Sequence, residues 1–410
     1  MQSHFTSDFF AANRARLREL FHGTAPIVIT ANGLLQRGGD SSFTFAQDAN
    51  FWYLTGIDEP DLVLVLDRDK EYIIVPERSN SRQAFDGSID DQDLMRRSGI
   101  SHIYTEKAGW ELLSNRLKKV KHVASLAPAP AYIDQYGLYT NPARAALLKR
   151  AKDYNAELEV LDLSLHMARM RMVKQPLELV AIQSAIDITL ATIREVSKPT
   201  RLAKYKYEYE IEADISRGFR TRGAQGHSFA PIVASGARAV TLHNIANNGT
   251  LAADELLIMD IGAEVEHYAA DITRTISLSQ PSKRQQIVHA SVLDVQQYAT
   301  GLLKPGVLLH DFEQLVEQYM GEKLRELGLI KSISHDAVRA YYPHATSHYL
   351  GLNVHDAGEY DRPLEPGVVV TVEPGIYIPE ESIGIRIEDD VLITEDGVKV
   401  LSGKLPGSLG

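Results

Sequence analysis

The 410-residue sequence contains no cysteine. Disulfide bonds, thiolate metal ligands and a cysteine nucleophile are therefore excluded. Basic residues are also in the minority, because 43 Lys and Arg stand against 54 Asp and Glu and give a formal net charge of -11. A protein that binds nucleic acid needs a basic surface, so we expect no nucleic-acid partner.

Long apolar runs are absent as well. The longest, "DLVLVLD" and "GVVVTVE", have the length of a strand and are too short to span a membrane. The first residues, "MQSHFTSDFF", lack the basic segment and the apolar stretch of a secretory signal. We therefore expect a cytoplasmic protein with no membrane partner.

The sequence that is present has an ordinary globular composition, with 44% hydrophobic and 24% charged residues. Its length predicts more than one core. The residue pattern changes near 166–176, in "HMARMRMVKQPLELVAI", where a basic stretch is followed by Pro176, which suits the first turn of a new helix. We predict two domains, 1–168 and 169–410.

The two halves show different patterns. In the first, a helix is expected from Ser7 to Phe21 with Ser7 as its N-cap, and short β-branched runs then alternate with amphipathic helices, which predicts an α/β domain with a mixed sheet. In the second, helices are predicted at 176–197, 205–222, 284–303 and 309–327, and strands at 256–261, 268–278, 368–373 and 384–393. This pattern predicts an α+β domain with a largely antiparallel sheet.

Two aspartates in the second half indicate a cation. Asp260 and Asp271 lie in neighbouring strand-like runs, and a chain reversal near 265–266 would place them opposite each other. Facing residues in an antiparallel pair are about 4.5–5.5 Å apart at Cβ, where like charges destabilise a sheet. A positive ion between them would remove that repulsion.

Further carboxylates and one histidine extend the set. Glu373 and Glu388 each interrupt a hydrophobic strand-like run, and buried carboxylates are rare unless they are paired or bound to metal. His348 lies in "HATSHYLGLNVHDAG", which lacks the glutamate of a zinc H-E-x-x-H motif because Ala345 follows the first histidine. One histidine with four carboxylates suits two divalent ions better than one structural zinc.

Each residue alone also has a simpler interpretation. Asp260 could be an ordinary turn residue, and His344 could be a surface histidine. Glu388 could simply pair with Arg386 at a solvated strand edge. These interpretations weaken because all the elements occur together, in order, in one predicted domain.

Four stretches resemble the pita-bread metallopeptidases, the family of methionine aminopeptidase, aminopeptidase P and prolidase. They are "DIGAEVEHYAADITRT", "HATSHYLGLNVHDAG", "LEPGVVVTVEPGIYI" and "GIRIEDDVLIT". The resemblance implies a pita-bread catalytic domain with five ligands for two divalent ions: Asp260, Asp271, His348, Glu373 and Glu388. It implies Mn²⁺, while ligand type alone leaves Co²⁺, iron and Zn²⁺ open.

The same resemblance assigns other roles. Glu373 would also shuttle a proton, and Asp271 and Glu388 would bridge the ions. Three histidines would line the substrate site: His243, His344 and His355. Arg386 and Tyr377 would orient the ligands and the reacting species.

The amino-terminal stretch "QDANFWYLTGIDEPDLVLVL" is similar to aminopeptidase P, whose members are homo-oligomers. The resemblance implies a homodimer or homotetramer in which Trp52 reaches the substrate site of a neighbouring subunit. Without the resemblance, core packing is the favoured interpretation of Trp52. Two positions depart from the family pattern: His267 replaces a turn glycine and Phe85 replaces a tryptophan.

The implied activity is metal-dependent hydrolysis of the bond between an N-terminal residue and a following proline, in proline-containing peptides. Prolidase, which cleaves Xaa-Pro dipeptides, is the close alternative. A non-catalytic or metal-free protein of the same fold is a further one, but such proteins are expected to have lost ligands.

Overall fold

The computed structural model describes residues 4–68, 70–127 and 137–409. The chain divides into two compact units, one reaching Met170 and the other beginning at Arg171. The division falls inside the helix Ser164–Met172, two residues after the predicted domain boundary.

The amino-terminal unit is built on a six-stranded mixed sheet. Its strands lie in the order Ile103–Thr105, Lys70–Val75, Val63–Asp67, Ile27–Thr30, His122–Ser125 and Glu159–Asp162. The central pairs are antiparallel and the outer pairs are parallel. A small hairpin pairs Gln36–Gly38 with Ser41–Ser42. The predicted α/β domain with a mixed sheet is confirmed.

Helices cover this sheet, and its central strands are buried along nearly their whole length. The described helices are Ser7–Phe21, Ala49–Thr55, Asn80–Asp86, Asp91–Ser98, Glu106–Leu117, Ala143–Tyr154 and Ser164–Met172. The first helix has the predicted bounds, but its N-cap is Thr6, because Thr6 is the last residue with extended backbone. The predicted cap at Ser7 is therefore wrong by one position.

The carboxyl-terminal unit combines helices with small antiparallel sheets. Its helices are Pro176–Val196, Pro199–Leu202, Glu208–Thr221, Lys283–Leu302, Leu309–Glu326 and His335–Arg339. Its strands are Gly226–His227, Ile232–Ser235, Leu256–Ile261, Ala263–Val265, Tyr268–Ala269, Ile272–Ser277, Val369–Val372, Gly375–Ile378, Ile383–Arg386, Asp389–Thr394 and Gly397–Val400. Short 3-10 helices occur at Gly236–Val240 and Pro379–Glu381. The expected α+β domain is confirmed.

The core of this unit lies between its long helices and its last strands. Val292 and Phe312, from two consecutive helices, pack in one cluster with Val370 and Ile385. Helix Pro176–Val196 is long and apolar enough to cross a membrane by length and composition, but half of it is buried inside the unit. Its burial is that of a packed core helix, and the helix begins with a capping box formed by Gln175 and the buried Glu178.

Candidate metal centre

The two aspartates lie on one face of a strand pair, in a register that differs from the prediction. Asp260 pairs with Thr273, and Asp271 lies two residues earlier, just before the strand begins. The prediction that Asp260 and Asp271 face each other directly is therefore wrong. The chain reverses at Glu266 and His267, one residue later than expected, and both have left-handed φ angles of 50° and 68°. Because the shift is two residues, both side chains still point to the same face.

Gly262 allows the strand pair to bend beside this site. It separates Leu256–Ile261 from Ala263–Val265, which belong to different sheets. A Cβ at Gly262 would lie 1.7 Å from the carbonyl oxygen of Ala270. Only glycine permits this close approach of two backbones, so the position is fixed by packing next to Asp260.

The two glutamates also occur where strands break. Glu373 directly follows the strand Val369–Val372, and Glu388 lies between Ile383–Arg386 and Asp389–Thr394. The predicted strand 384–393 is therefore two strands with Glu388 at the break. Glu388 is buried, and the side chain of Glu373 is 17% exposed. At such breaks a side chain can leave the alternation of the sheet and turn toward a common point.

His348 is held as a neutral-tautomer ligand would be. Its Nδ1 lies 3.1 Å from the carbonyl oxygen of Tyr349, which assigns the proton to Nδ1 when the ring is neutral. Its Nε2 lies 3.5 Å from Asp271 Oδ2 and 3.2 Å from Glu373 Oε1. A backbone acceptor that fixes the far nitrogen is the usual support of a metal-bound histidine.

These side chains converge closely enough to hold an ion. One ligand atom from each of Asp271, His348 and Glu388 lies within 4.8 Å of the others, and all three residues are buried. Glu373 joins them through His348, and Asp260 acts on Asp271 through its charge. The five predicted ligands are thus brought together.

Electrostatics indicates that the cluster needs a cation. Among the described residues, Asp260 Oδ1 and Glu388 Oε1 are buried without a hydrogen-bond partner. Burial raises the pKa of Asp271 to about 7, and Asp260 acts in the same direction. Burial and the charge of Asp271 raise the pKa of Glu388 well above its usual range. Oxygen-rich carboxylates with unpartnered atoms fit divalent ions, which would keep them ionised.

Arg386 and Tyr377 lie beside the ligands as predicted. Arg386 donates from Nη2 to Asp260 Oδ2 and from Nη1 to Tyr377 Oη at 2.7 Å. Both side chains are buried. The guanidinium therefore fixes one oxygen of Asp260 and leaves the other for a cation.

Two supporting residues were missed by the sequence analysis. Thr273 donates from Oγ1 to Glu388 Oε2 at 2.6 Å and accepts from Arg386 Nε at 3.2 Å. Asp390 accepts the backbone N–H of Asp271 at 3.2 Å. The spacing of Asp271 and Thr273, two apart in a strand, was the only sequence signal, because it places both on one face.

His344 is tied to the protein at both ring nitrogens. Nδ1 lies 2.8 Å from the carbonyl oxygen of Ala345, and Nε2 lies 2.9 Å from Tyr377 Oη. Burial lowers the pKa of His344 to about 4, so the ring is neutral near pH 7. Nδ1–H then donates to the carbonyl, and Nε2 accepts from Tyr377.

His355 and His243 lie at the open side of the cluster. The ring of His355 stacks on that of His348, with centroids 4.0 Å apart and planes 20° from parallel. Desolvation and the charge of His348 lower the pKa of His355, and His243 is near enough to contribute. Both His243 and His355 are exposed, which leaves them accessible to a substrate.

Trp52 is placed in the core of the amino-terminal unit. Its ring contacts Phe5 and Phe10 edge-on, at 5.4 Å in each case, and the residue is 5% exposed. Phe85, in the same unit, is 87% exposed. Core packing thus accounts for Trp52, and its role at a neighbouring subunit stays a prediction.

Comparison with known proteins agrees with this site. The model of metallopeptidase family M24 matches residues 180–395, and that of the aminopeptidase P N-terminal domain matches residues 10–124. The first match contains all five candidate ligands. The chain therefore belongs to metallopeptidase family M24.

Relatives are similar over nearly the whole chain. The chain is 32% identical to Xaa-Pro aminopeptidase of Haemophilus influenzae, over 97% of this chain and 94% of the relative. It is 32% identical to human Xaa-Pro aminopeptidase 3, over 93% of this chain and 78% of the relative. A solved structure of aminopeptidase P from Escherichia coli, in a low-pH form, superimposes with a TM-score of 0.87 at 27% identity, over 99% and 97% of the two chains.

Proposed function

We propose that the protein is a metal-dependent Xaa-Pro aminopeptidase, which hydrolyses the bond between an N-terminal residue and a following proline. The observation that carries the proposal is the buried convergence of Asp271, His348 and Glu388, with Glu373 and Asp260 beside them. The similarity to named Xaa-Pro aminopeptidases over nearly the whole chain supports the choice of substrate.

Two divalent ions would be held by Asp260, Asp271, His348, Glu373 and Glu388. When bound, they would supply Lewis-acid polarisation of the scissile carbonyl and a nucleophile at neutral pH. We propose Mn²⁺ as the metal, with Co²⁺ or Zn²⁺ as alternatives that the same ligand atoms accept.

Glu373 is suited to accept and return a proton. Burial alone would raise its pKa, but the hydrogen bond and charge of His348 lower it to about 2. The carboxylate is therefore ionised near pH 7. It lies beside both His348 and His344, at the edge of the ligand cluster. Its position beside the ligand cluster, and not its basicity, makes Glu373 the candidate to take a proton from water and deliver it to the leaving proline nitrogen.

The hydrogen-bond chain beside Asp260 has a fixed direction. Arg386 has only donors, so Tyr377 Oη accepts from it and donates its own proton to His344 Nε2. His344 thus orients Tyr377, while the exposed His243 and His355 are the candidates to donate hydrogen bonds to substrate. We include all three histidines in the substrate side of the site.

We also propose a cytoplasmic, homo-oligomeric enzyme with proline-containing peptides as its substrates. The support for the oligomer is the similarity of the amino-terminal unit to the aminopeptidase P N-terminal domain.

The test is a substrate pair on metal-stripped protein. An Xaa-Pro-Xaa tripeptide and the matching Xaa-Pro dipeptide are compared after Mn²⁺, Co²⁺ or Zn²⁺ is added back separately. We expect hydrolysis only with metal, and faster release of the first residue from the tripeptide. Faster turnover of the dipeptide would assign the chain to the prolidase activity instead.

Asp260→Asn is the matched variant for this test. It keeps the size of the side chain but removes the charge that a divalent ion requires, so Mn²⁺ binding and hydrolysis should both fall by more than about 100-fold. Circular dichroism should show a folded chain. Full activity in this variant would refute a dinuclear site that uses Asp260.

A further inference from the structure

A carboxylate outside the ligand cluster holds the backbone between its two histidines. Glu313, on the helix Leu309–Glu326, accepts the backbone N–H of Thr346 at 2.8 Å on Oε1 and at 3.0 Å on Oε2. It also accepts the hydroxyl of Thr346 at 3.0 Å on Oε2. Thr346 lies midway between His344 and His348 in the sequence.

Thr346 is fixed on its other side by the site itself. Its carbonyl oxygen accepts the backbone N–H of Glu373 at 2.9 Å, and the carbonyl oxygen of His348 accepts that of Thr371 at 3.0 Å. Residues 346–348 therefore run alongside the end of the strand Val369–Val372. The backbone N–H of Thr346 is bonded to the carboxylate of Glu313 and not to this strand.

Glu313 accepts hydrogen bonds from a single residue among those that the structure describes. All three hydrogen bonds that its carboxylate accepts among the described residues come from Thr346. Burial raises the pKa of Glu313, so desolvation of this carboxylate costs free energy. A glutamine or an apolar residue on the helix would avoid that cost, which indicates that the contact serves the loop.

We propose that Glu313 is a positioning residue for the metal centre, acting through Thr346 on His348. The carboxylate fixes the backbone of 344–348, so that the imidazole of His348 is directed at Asp271 and Glu373 before an ion binds. Residues that orient ligands from outside typically change metal affinity or activity by about 10–100-fold when they are removed. The inference rests on the proposed metal-dependent function.

The test measures metal affinity directly. Glu313→Ala and Glu313→Gln are compared with Glu326→Ala and Glu326→Gln on the same helix, where the carboxylate is 64% exposed. Mn²⁺ is titrated calorimetrically into the metal-stripped proteins, and kcat and KM are measured with an Xaa-Pro-Xaa tripeptide. We expect the dissociation constant of Mn²⁺ to rise about 10–100-fold in Glu313→Ala, less in Glu313→Gln, and not in the controls.

Variants of Thr346 test whether Glu313 acts on His348 through Thr346. Thr346→Val removes the hydroxyl and should weaken Mn²⁺ binding, whereas Thr346→Ser keeps it and should bind as the wild type does. The hydroxyl of Thr346 also lies 2.6 Å from Tyr342 Oη. A double-mutant cycle isolates the contact that Thr346 shares with Glu313, and Glu313→Ala and Thr346→Val should be non-additive in it. If Glu313→Ala fails to fold, Glu313→Gln and Thr346→Val provide the same comparison.

An unchanged dissociation constant in the folded Glu313 and Thr346 variants, with only a lower melting temperature, would overturn the proposal. That outcome differs from failure of the proposed function, in which the wild-type chain would not hydrolyse Xaa-Pro peptides with any metal. The titration can be interpreted in either case, because it measures binding of Mn²⁺ and not turnover.

Discussion

The two units of the chain bury different kinds of side chain. The core of the amino-terminal unit is mainly apolar and aromatic, with Trp110, Leu113 and Leu117 packed on the sheet strands. The carboxyl-terminal unit buries many ionisable groups, among them Asp260, Asp271, Arg274, Arg386, Glu388, Asp389 and Asp390. Both units have an apolar core, but the carboxyl-terminal unit also holds charges that oppose folding unless they are paired.

The difference between the two units indicates which of them contains the functional site. Burial of an unpaired charge costs several kcal/mol in general, so a cluster of carboxylates persists only where compensation exists. Arg386 compensates Asp260, and Arg274 pairs with Asp389 at 2.7 Å. Asp271 shares the single imidazole of His348 with Glu373, and the hydrogen bond that Glu388 accepts among the described residues comes from the neutral hydroxyl of Thr273, which is the imbalance that a metal would correct.

The largest effect on stability should come from a substitution in the core of the amino-terminal unit. Trp52→Ala removes a buried ring from its contacts with Phe5 and Phe10, and a change of this kind costs about 3–5 kcal/mol. Trp110, the other tryptophan of the chain, lies in the same unit and reports its unfolding by fluorescence during a urea titration.

Phe85→Ala is the control for this prediction. The ring is 87% exposed, so its loss should change the free energy of unfolding by no more than about 0.5 kcal/mol. The Mn²⁺ dissociation constant should be the same in Trp52→Ala as in the wild type, because all five proposed ligands belong to the other unit. A neutral Trp52→Ala would contradict the core assignment.

The stability of the carboxyl-terminal unit should depend on pH when no metal is bound. The pKa of Asp271 is raised to about 7 by burial, from an ordinary value near 4, so folding favours its protonated form. This contribution is complete below about pH 4 and is lost as the pH rises toward 7. His348, whose pKa is also raised despite its burial, acts in the same direction. The pKa of Glu373 is lowered, so its contribution to stability is constant above about pH 4.5 and is lost only as the pH falls below that value.

His344 and His355, whose pKa values burial lowers to about 4, act in the opposite direction up to about pH 6.5. The contribution of Asp271 is therefore the difference between wild type and Asp271→Asn, and we expect the melting temperature of the metal-free wild type to fall relative to that of Asp271→Asn between pH 5 and pH 7.5. Scanning calorimetry with a chelator measures this, and the transition that Mn²⁺ shifts upward identifies the unit. Asp271→Asn should reduce the dependence, since its amide does not titrate. A melting-temperature difference between wild type and Asp271→Asn that stays the same from pH 5 to pH 7.5 would contradict the argument.

The smallest effect is expected at the turn between the two aspartates. His267 has a φ of 68°, where a residue with a Cβ is strained and glycine is not. His267→Gly should raise the free energy of unfolding by about 1 kcal/mol without changing activity. His267→Ala keeps the strain and serves as the control. Equal stability of the two variants would show that the backbone of this turn carries no strain.

Sequence patterns located the long elements well. Apolar periodicity and Pro176 predicted a helix at 176–197, and the structure has Pro176–Val196. The strand 256–261 was predicted with its observed bounds. These elements are long, strongly patterned and buried on a single face or throughout, which are the properties that local sequence reports.

Sequence patterns could not predict the register of the strands that carry Asp260 and Asp271, or the contacts that support the ligands. Glu266 and His267 are not residues that indicate a tight turn, because it needs positive φ and usually contains Gly or Asn. The turn was therefore placed one residue early and the pairing two residues off. Glu313 is part of an amphipathic helix and resembles any solvent-facing glutamate until the tertiary structure brings Thr346 to it.

The strand breaks that carry Glu373 and Glu388 also set an order for synthesis. Domains generally fold from the amino terminus while the ribosome adds about 5–20 residues per second. Asp260 and Asp271 are synthesised several seconds before Glu388, so a nascent chain holds two of the five candidate ligands while Glu388 is still untranslated. Stable loading with a pair of ions therefore has to wait until Glu388, between the strands Ile383–Arg386 and Asp389–Thr394, has been added to the chain.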